Sequence, residues 1–144
     1  MQDLQKQRQQ VMVVPATVTN GATVTANLDC KGHDSVDITL VIGAFNGGTN
    51  GASPTTIKLS ESDDTVVTNF ADITGASANA VLTASGSVRF HVDLRKRKRF
   101  IKLTFAPAAT TNDQVPMAAV AQFDRSEQFP ANTSGFGNTL VRIP

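Results

Sequence analysis

Between Val88 and Phe105 apolar and polar residues alternate on both sides of a dense basic block. Val88, Phe90, Val92 and Leu94 fall at every second position around Arg89, His91 and Asp93, and Ile101, Leu103 and Phe105 do the same around Lys102 and Thr104. A period of two sends alternate side chains to opposite faces of an extended chain, so each segment buries one face and wets the other. A helix would scatter the same residues around its axis. The stretch therefore places the chain in the β class, and the intervening Arg95, Lys96, Arg97, Lys98 and Arg99 read as the basic tip of a hairpin that joins the two strands.

The same texture recurs along the chain. Val11 to Val14 is an apolar run stopped by Pro15; Val24, Ala26 and Leu28 share one side of the next segment; Val36, Ile38, Leu40 and Ile42 share one side of Ser35 to Ile42. Ile57 and Leu59 mark a further strand, Asn79 to Thr83 a short one, and Val115, Met117, Ala119, Ala121 and Phe123 share a face near the end, with Pro116 at an edge or a strand start. Phe45 to Pro54 is rich in Gly, Asn and Ser and reads as an exposed loop. Glu61, Asp63 and Asp64 form an acidic turn without the spacing of a calcium loop. About eight or nine strands at turn-rich intervals, with no strand–helix alternation, give an all-β, single-domain β-sandwich. Jelly-roll and immunoglobulin-like connections both fit, since the pattern does not fix strand order; the fold expected is a jelly-roll-like sandwich with extended arms at both ends.

A chain of 144 residues suits one domain, which near this size buries roughly 70% of its unfolded surface and needs no cross-link. Cys30 is the one cysteine, so no internal disulfide is available. Residues 1–10 are polar and read as an arm, 11–123 as the body and 124–144 as an extended tail. The tail spaces Phe129, Phe136, Leu140, Val141 and Ile143 through polar residues, so these either pack back on the body or dock on another subunit. The longest apolar runs are far too short to span a membrane, and no targeting segment is visible, so a soluble protein is expected.

Little here supports catalysis. Cys30 and His33 offer two ligands where a structural zinc needs four, and no Gly-x-Ser-x-Gly elbow is present. No enzyme, cofactor or metal is expected. Net charge is only +1, yet seven of the 13 Lys and Arg residues lie between Arg89 and Lys102. The tip Arg95 to Arg99 reads as a guard against edge-to-edge pairing, as a dock for an acidic protein surface, or as a phosphate contact beside Phe90 and Phe100. The last reading is weakened by the modest net charge and by the absence of Trp and Tyr, which also argues against a carbohydrate-binding module. The partner-binding candidates are Leu4, Lys6 and Arg8 in the arm, Arg95, Lys96, Arg97, Lys98 and Arg99 in the tip, and Phe129, Phe136 and Arg142 in the tail.

The order of segments Asp34 to Gly43, Ile57 to Asp64, Phe70 to Gly75, and Val88 to Phe105 closing on Ala106 and Pro107, resembles small all-β structural proteins encoded among the virion genes of tailed bacteriophages. Some of these are capsid decoration, or cement, proteins. The resemblance covers about residues 20–125. It implies a homotrimeric β body on the capsid surface, bound to the major capsid protein, with arms reaching over neighbouring capsid subunits and the protein made in the host cytoplasm. A tail or head-to-tail connector component, and a nucleic-acid-binding β domain using residues 95–99, are the alternatives.

Overall fold

The computed structural model describes residues 8–19, 22–43, 54–78, 85–107, 114–124 and 138–143, the last as backbone. They form nine strands: β1 (Arg8–Thr19), β2 (Val24–Asp29), β3 (Ser35–Ile42), β4 (Pro54–Ser62), β5 (Ala71–Ser77), β6 (Gly86–Asp93), β7 (Phe100–Pro107), β8 (Gln114–Asp124) and β9 (Asn138–Ile143). Single 3-10 turns lie at Val67–Asn69 and Leu94–Lys96. Sheet A runs β1-β8-β3-β6-β9 and sheet B runs β2-β7-β4-β5. Among the described residues no helix is long and apolar enough to cross a membrane.

The ladders explain that order. β1 pairs with β8, β2 with β7, β3 with β6 and β4 with β5, all antiparallel. The chain is one two-stranded ribbon that doubles back between β4 and β5 and then wraps, sending successive pairs to alternate sheets. Wrapping adds the β3–β8 and β4–β7 ladders. The β-sandwich expected from the strand pattern is present, and this winding makes it a jelly roll. β9 stands outside the ribbon and runs parallel to β6 at the edge of sheet A.

The hairpin expected between Val88 and Phe105 does not form. β6 lies in sheet A and β7 in sheet B, and each finds its partners elsewhere. Both strands do bury their alternate residues, but they face each other across the core and are not side by side. The six residues 94–99 between them cross from one sheet to the other, a gap of about 10 Å that a two-residue turn could not bridge. Pro15 likewise does not stop the first strand. β1 continues to Thr19 because it is the edge of sheet A, with irregular register between Val11 and Ala16, where a missing N–H costs no ladder bond. At the ends, β1 begins at Arg8, within the segment read as an arm, and residues 138–143 of the tail return to pair with β6, one of the two outcomes open to it.

The core is the space between the sheets. Val36, Ile38 and Leu40 of β3, Val88, Phe90 and Val92 of β6, and Ala119, Ala121 and Phe123 of β8 are all at 0% exposure, as are Leu28, Leu59, Ile101 and Phe105 of sheet B. Each large side chain so buried contributes about 1.5–3 kcal/mol relative to exposure, which makes this two-layer core the source of the fold's stability.

Candidate functional site

Where the ribbon crosses from sheet A to sheet B its two chains run side by side through residues 30–34 and 94–99. Cys30 N donates to Arg99 O at 2.9 Å and Leu94 N to Asp34 O at 2.8 Å. This corner carries the basic block and gathers acids against it. Arg95 grips Asp93 through Nε and Nη2 at 2.9 and 2.7 Å, and Arg99 grips Asp29 the same way at 3.0 and 2.7 Å. Arg97 Nη1 lies 3.7 Å from Glu61 Oε1, with side chains only 17% and 18% exposed. Lys98 Nζ lies 3.7 Å from Asp63, and its backbone N donates to Glu61 Oε2 at 3.2 Å. Hydrogen bonds from Arg99 and from Arg95 pull the Asp29 and Asp93 carboxyls from 3.8 down to about 2. Four of the five cations of the expected free tip are thus paired with carboxylates, and the corner is largely compensated.

Cys30 and His33 serve the same corner. The Cys30 thiol is buried and lies 3.8 Å from the Leu28 carbonyl, while the His33 ring stacks on Phe123 at 4.3 Å between centroids. Arg8 covers Phe123 as well, its guanidinium carbon 5.2 Å from the ring centroid.

The outer face of sheet A is divided. Toward β6, Asp37 accepts from Arg89 Nη2 at 2.6 Å and lies 2.8 Å from His91 Nδ1, because the ladder sets Asp37 opposite His91 with Arg89 one pleat along. Toward β1 the face is apolar. Val11 lies opposite Val120, and Ala118 opposite Val41. Val11, Val14 and Val41 are 56%, 68% and 52% exposed. A shallow groove here is lined by Pro15, Ala16, Val41, Gly43, Pro116 and Ala118, among others. Gly43 N donates to Pro116 O at 2.8 Å, and a Cβ at Gly43 would meet Pro116 Cγ at 2.7 Å. The groove floor depends on that missing side chain.

Sheet B is partly roofed by the β4–β5 connection. Phe70 lies under Lys102 Nζ, 4.3 Å from its ring centroid, and the outward-facing Ser60 and Ser62 are only 2% and 1% exposed. Asp64 organises the connection: its carboxylate accepts from Val66 N at 2.9 Å, Asn69 Nδ2 at 2.8 Å and Ser62 Oγ at 3.3 Å. The bond from Asn69, followed by that from Val66 N, holds the Asp64 carboxyl below its usual range. The acidic turn read from the sequence is therefore a scaffold, and it presents Val66 and Val67 to solvent, 53% and 73% exposed.

Of the candidate partner-binding residues, Arg95 to Arg99 come together at the ribbon corner, and Arg8 joins that end of the sandwich through Phe123. Arg142 falls in β9 at the register position opposite His91, within a strand and not on a free tail. Leu4, Lys6, Phe129 and Phe136 lie outside the described residues. The groove and the Val66–Val67 pair were not among the candidates. The signal available in the sequence was the adjacency of two valines just after an acidic turn; the groove is assembled from three strands distant in sequence.

These features define a jelly-roll β-sandwich with two exposed apolar patches. No protein-family model and no curated protein sequence matches the chain. Among solved structures it is similar to one of the infectious bursal disease virus Gx strain, with a TM-score of 0.50 and 15% identity over 87% of this chain and 34% of that one. It is also similar to the VP2 subviral particle of infectious bursal disease virus, with a TM-score of 0.49 and 12% identity over 81% of this chain and 32% of that one. The chain thus spans about a third of the length of these neighbours, and the likeness is one of fold.

Proposed function

We propose that the chain is a virion structural protein, specifically a decoration protein that seats on the capsid surface of a tailed bacteriophage, binds the major capsid protein and acts as a homotrimer. It works by binding and not by catalysis, and needs no cofactor. The observation that carries this reading is the wrapped ribbon itself, an architecture used for capsid building, bearing an outer sheet face that is apolar around Val11, Val14, Val41, Pro116 and Ala118. The neighbour of 0.50 TM-score, a virus, is in keeping with it. Jelly rolls also serve as lectins, but this sequence has no Trp or Tyr to stack on sugars. Ion pairing of the basic corner speaks against the nucleic-acid alternative. A ligand that binds the assembled lattice and not free subunits stabilises the capsid by mass action.

Co-sedimentation with undecorated phage capsids tests this. Saturation at a fixed stoichiometry, together with a raised temperature of capsid disruption, is the expected result. A protein that ignores capsids and joins purified tail or neck components would replace it with the connector reading. Release from DNA as salt rises, without capsid binding, would restore the nucleic-acid one.

A further inference from the structure

β8 and β9 point the same way, since β8 and β6 both run antiparallel to β3 and β9 runs parallel to β6. Sheet order puts β3 and β6 between them. Asp124, the last residue of β8, shares a row with Ser35 and Asp93, whereas Asn138, the first of β9, sits opposite Ser87 at the other end of β6. Residues 125–137 must therefore cross three strand spacings, about 14 Å, and go back over about 20 Å of strand. The diagonal is roughly 25 Å. The 14 steps of chain from Asp124 to Asn138 reach about 46–50 Å, enough to make that return within one molecule.

We propose that residues 125–137 return across the outer face of sheet A, over β3 and β6, and bring Phe136 onto the Val41–Gly43 end of the apolar groove.

Three observations support it. The inner face has no room: Val36, Ile38, Val88 and Phe90 are fully buried there, within the core shared with sheet B. Handedness selects the outer face independently. β6 and β8 are also parallel, and the chain between them passes through β7 on the inner side, moving toward β1. The connection from β8 to β9 moves back the opposite way. Parallel connections are right-handed in about 98% of cases, and one that reverses its direction across a sheet keeps that hand only by changing face. Third, the return ends beside the groove. Phe136 stands two residues before Asn138, so its Cα lies within about 7 Å of the start of β9. Val41 is opposite Ser87 and hence two strand spacings, about 10 Å, from Asn138, a gap that a phenylalanine side chain closes. Gly135 and Gly137 flank Phe136 and permit the bend from the face into the edge of the sheet. The groove lining there carries no charged side chain. Val11 and Val14 lie on the far strand β1, beyond the reach of that ring, and remain the part of the face that a partner meets.

The contact belongs to the isolated chain and holds whether or not the chain joins a capsid. Thr39 points outward at the middle of β3, and Ala131 is the midpoint of the return. Treating a Thr39→Cys, Ala131→Cys double variant with diamide should close a disulfide within one chain, seen by peptide mapping of material that keeps the monomer mass in denaturant. Native Cys30 is buried and stays out of the reaction while the protein is folded. Circular dichroism checks folding, and Val120→Cys, opposite Thr39 on β8, replaces Thr39→Cys if that variant does not fold. An equimolar mixture of the two single variants separates one copy from several. It should yield no cross-linked dimer, whereas a return segment lent to a neighbouring subunit of a homotrimer would yield one. A second readout places the ring. A polar thiol reagent should label Val41→Cys about tenfold faster once Phe136→Ala is added, because the cover of the ring is lost. A dimer from the mixture, no bond in the double variant, or equal labelling with and without the Phe136 ring would each overturn the proposal.

Discussion

The Arg99 guanidinium meets the Asp29 carboxylate at two points, Nε to Oδ1 at 3.0 Å and Nη2 to Oδ2 at 2.7 Å, and so ties the link after β6 to the end of β2. Arg95 and Asp93 repeat the motif within the same link. Folding holds both carboxyls at about 2, below their ordinary 3.8. A depressed carboxyl stabilises the native state above its unfolded value, and that contribution is lost as pH falls through the folded one. The loss should therefore fall between pH values of about 4 and 2. Both carboxyls are solvent-accessible, so the effect is modest. Urea midpoints measured across that window should decline, and less steeply in the Asp29→Asn, Asp93→Asn double variant. An equally steep decline in the double variant would locate the acid sensitivity elsewhere.

Arg97 and Lys96 are adjacent in sequence and should behave differently. Arg97 is largely buried against Glu61, itself 18% exposed, so Arg97→Ala strands a half-buried carboxylate. A loss of about 2 kcal/mol is expected. Lys96 is exposed and makes no ion pair among the described residues, and Lys96→Ala should stay within about 0.5 kcal/mol. Chemical denaturation distinguishes them, and equal losses would show that the corner holds its charges as a free tip does.

The contrast between β6 and the basic link marks how far the sequence carries. The buried faces of β2, β3, β4, β6, β7 and β8 were legible, because alternation at Val36, Ile38 and Leu40 or at Val88, Phe90 and Val92 is a local property of the chain. Pairing is not local. Two alternating segments joined by six residues can lie side by side or face each other across a core, and the period of two is the same in both. The acids that neutralise Arg97 and Arg99 come from β4 and β2, far away in sequence, so a free basic tip is the natural reading until the ribbon is wound. The groove was hidden for the same reason: Pro15, Val41 and Pro116 meet only because β8 lies between β1 and β3.

Gly43 is the test of that meeting. A methyl group there would sit 2.7 Å from Pro116 Cγ, against a proline ring that has little freedom to retreat. Gly43→Ala should lower stability by about 1–3 kcal/mol through forced separation of β3 and β8. A urea midpoint unchanged from wild type would mean that the two strands part without cost at this end.

Phe90, at 0% exposure on the central face of β6, anchors the interlayer packing. Phe90→Ala removes most of a ring from a close-packed layer and should cost about 3–5 kcal/mol, a large part of the stability of a domain this size. Val67→Ala, at a site 73% exposed, should cost almost nothing by the same measurement. Comparable losses at the two sites would place Val67 in the core and not on the surface.

Cys30 reports on the ribbon corner without perturbing it. Burial, followed by the nearby Asp29 charge, pushes its thiol up to about 12, so almost no thiolate exists in the native state at neutral or mildly alkaline pH. The thiolate is the reactive form, and the sulfur is sealed beneath the link that Arg99 fixes to Asp29. A disulfide reagent at pH 8 should leave the folded protein unlabelled over hours and label it at once in denaturant. Arg99→Ala, by releasing the link, should raise the native labelling rate without changing the rate in denaturant. Rapid labelling of the wild type would show that the corner opens far more readily than the rest of the sandwich.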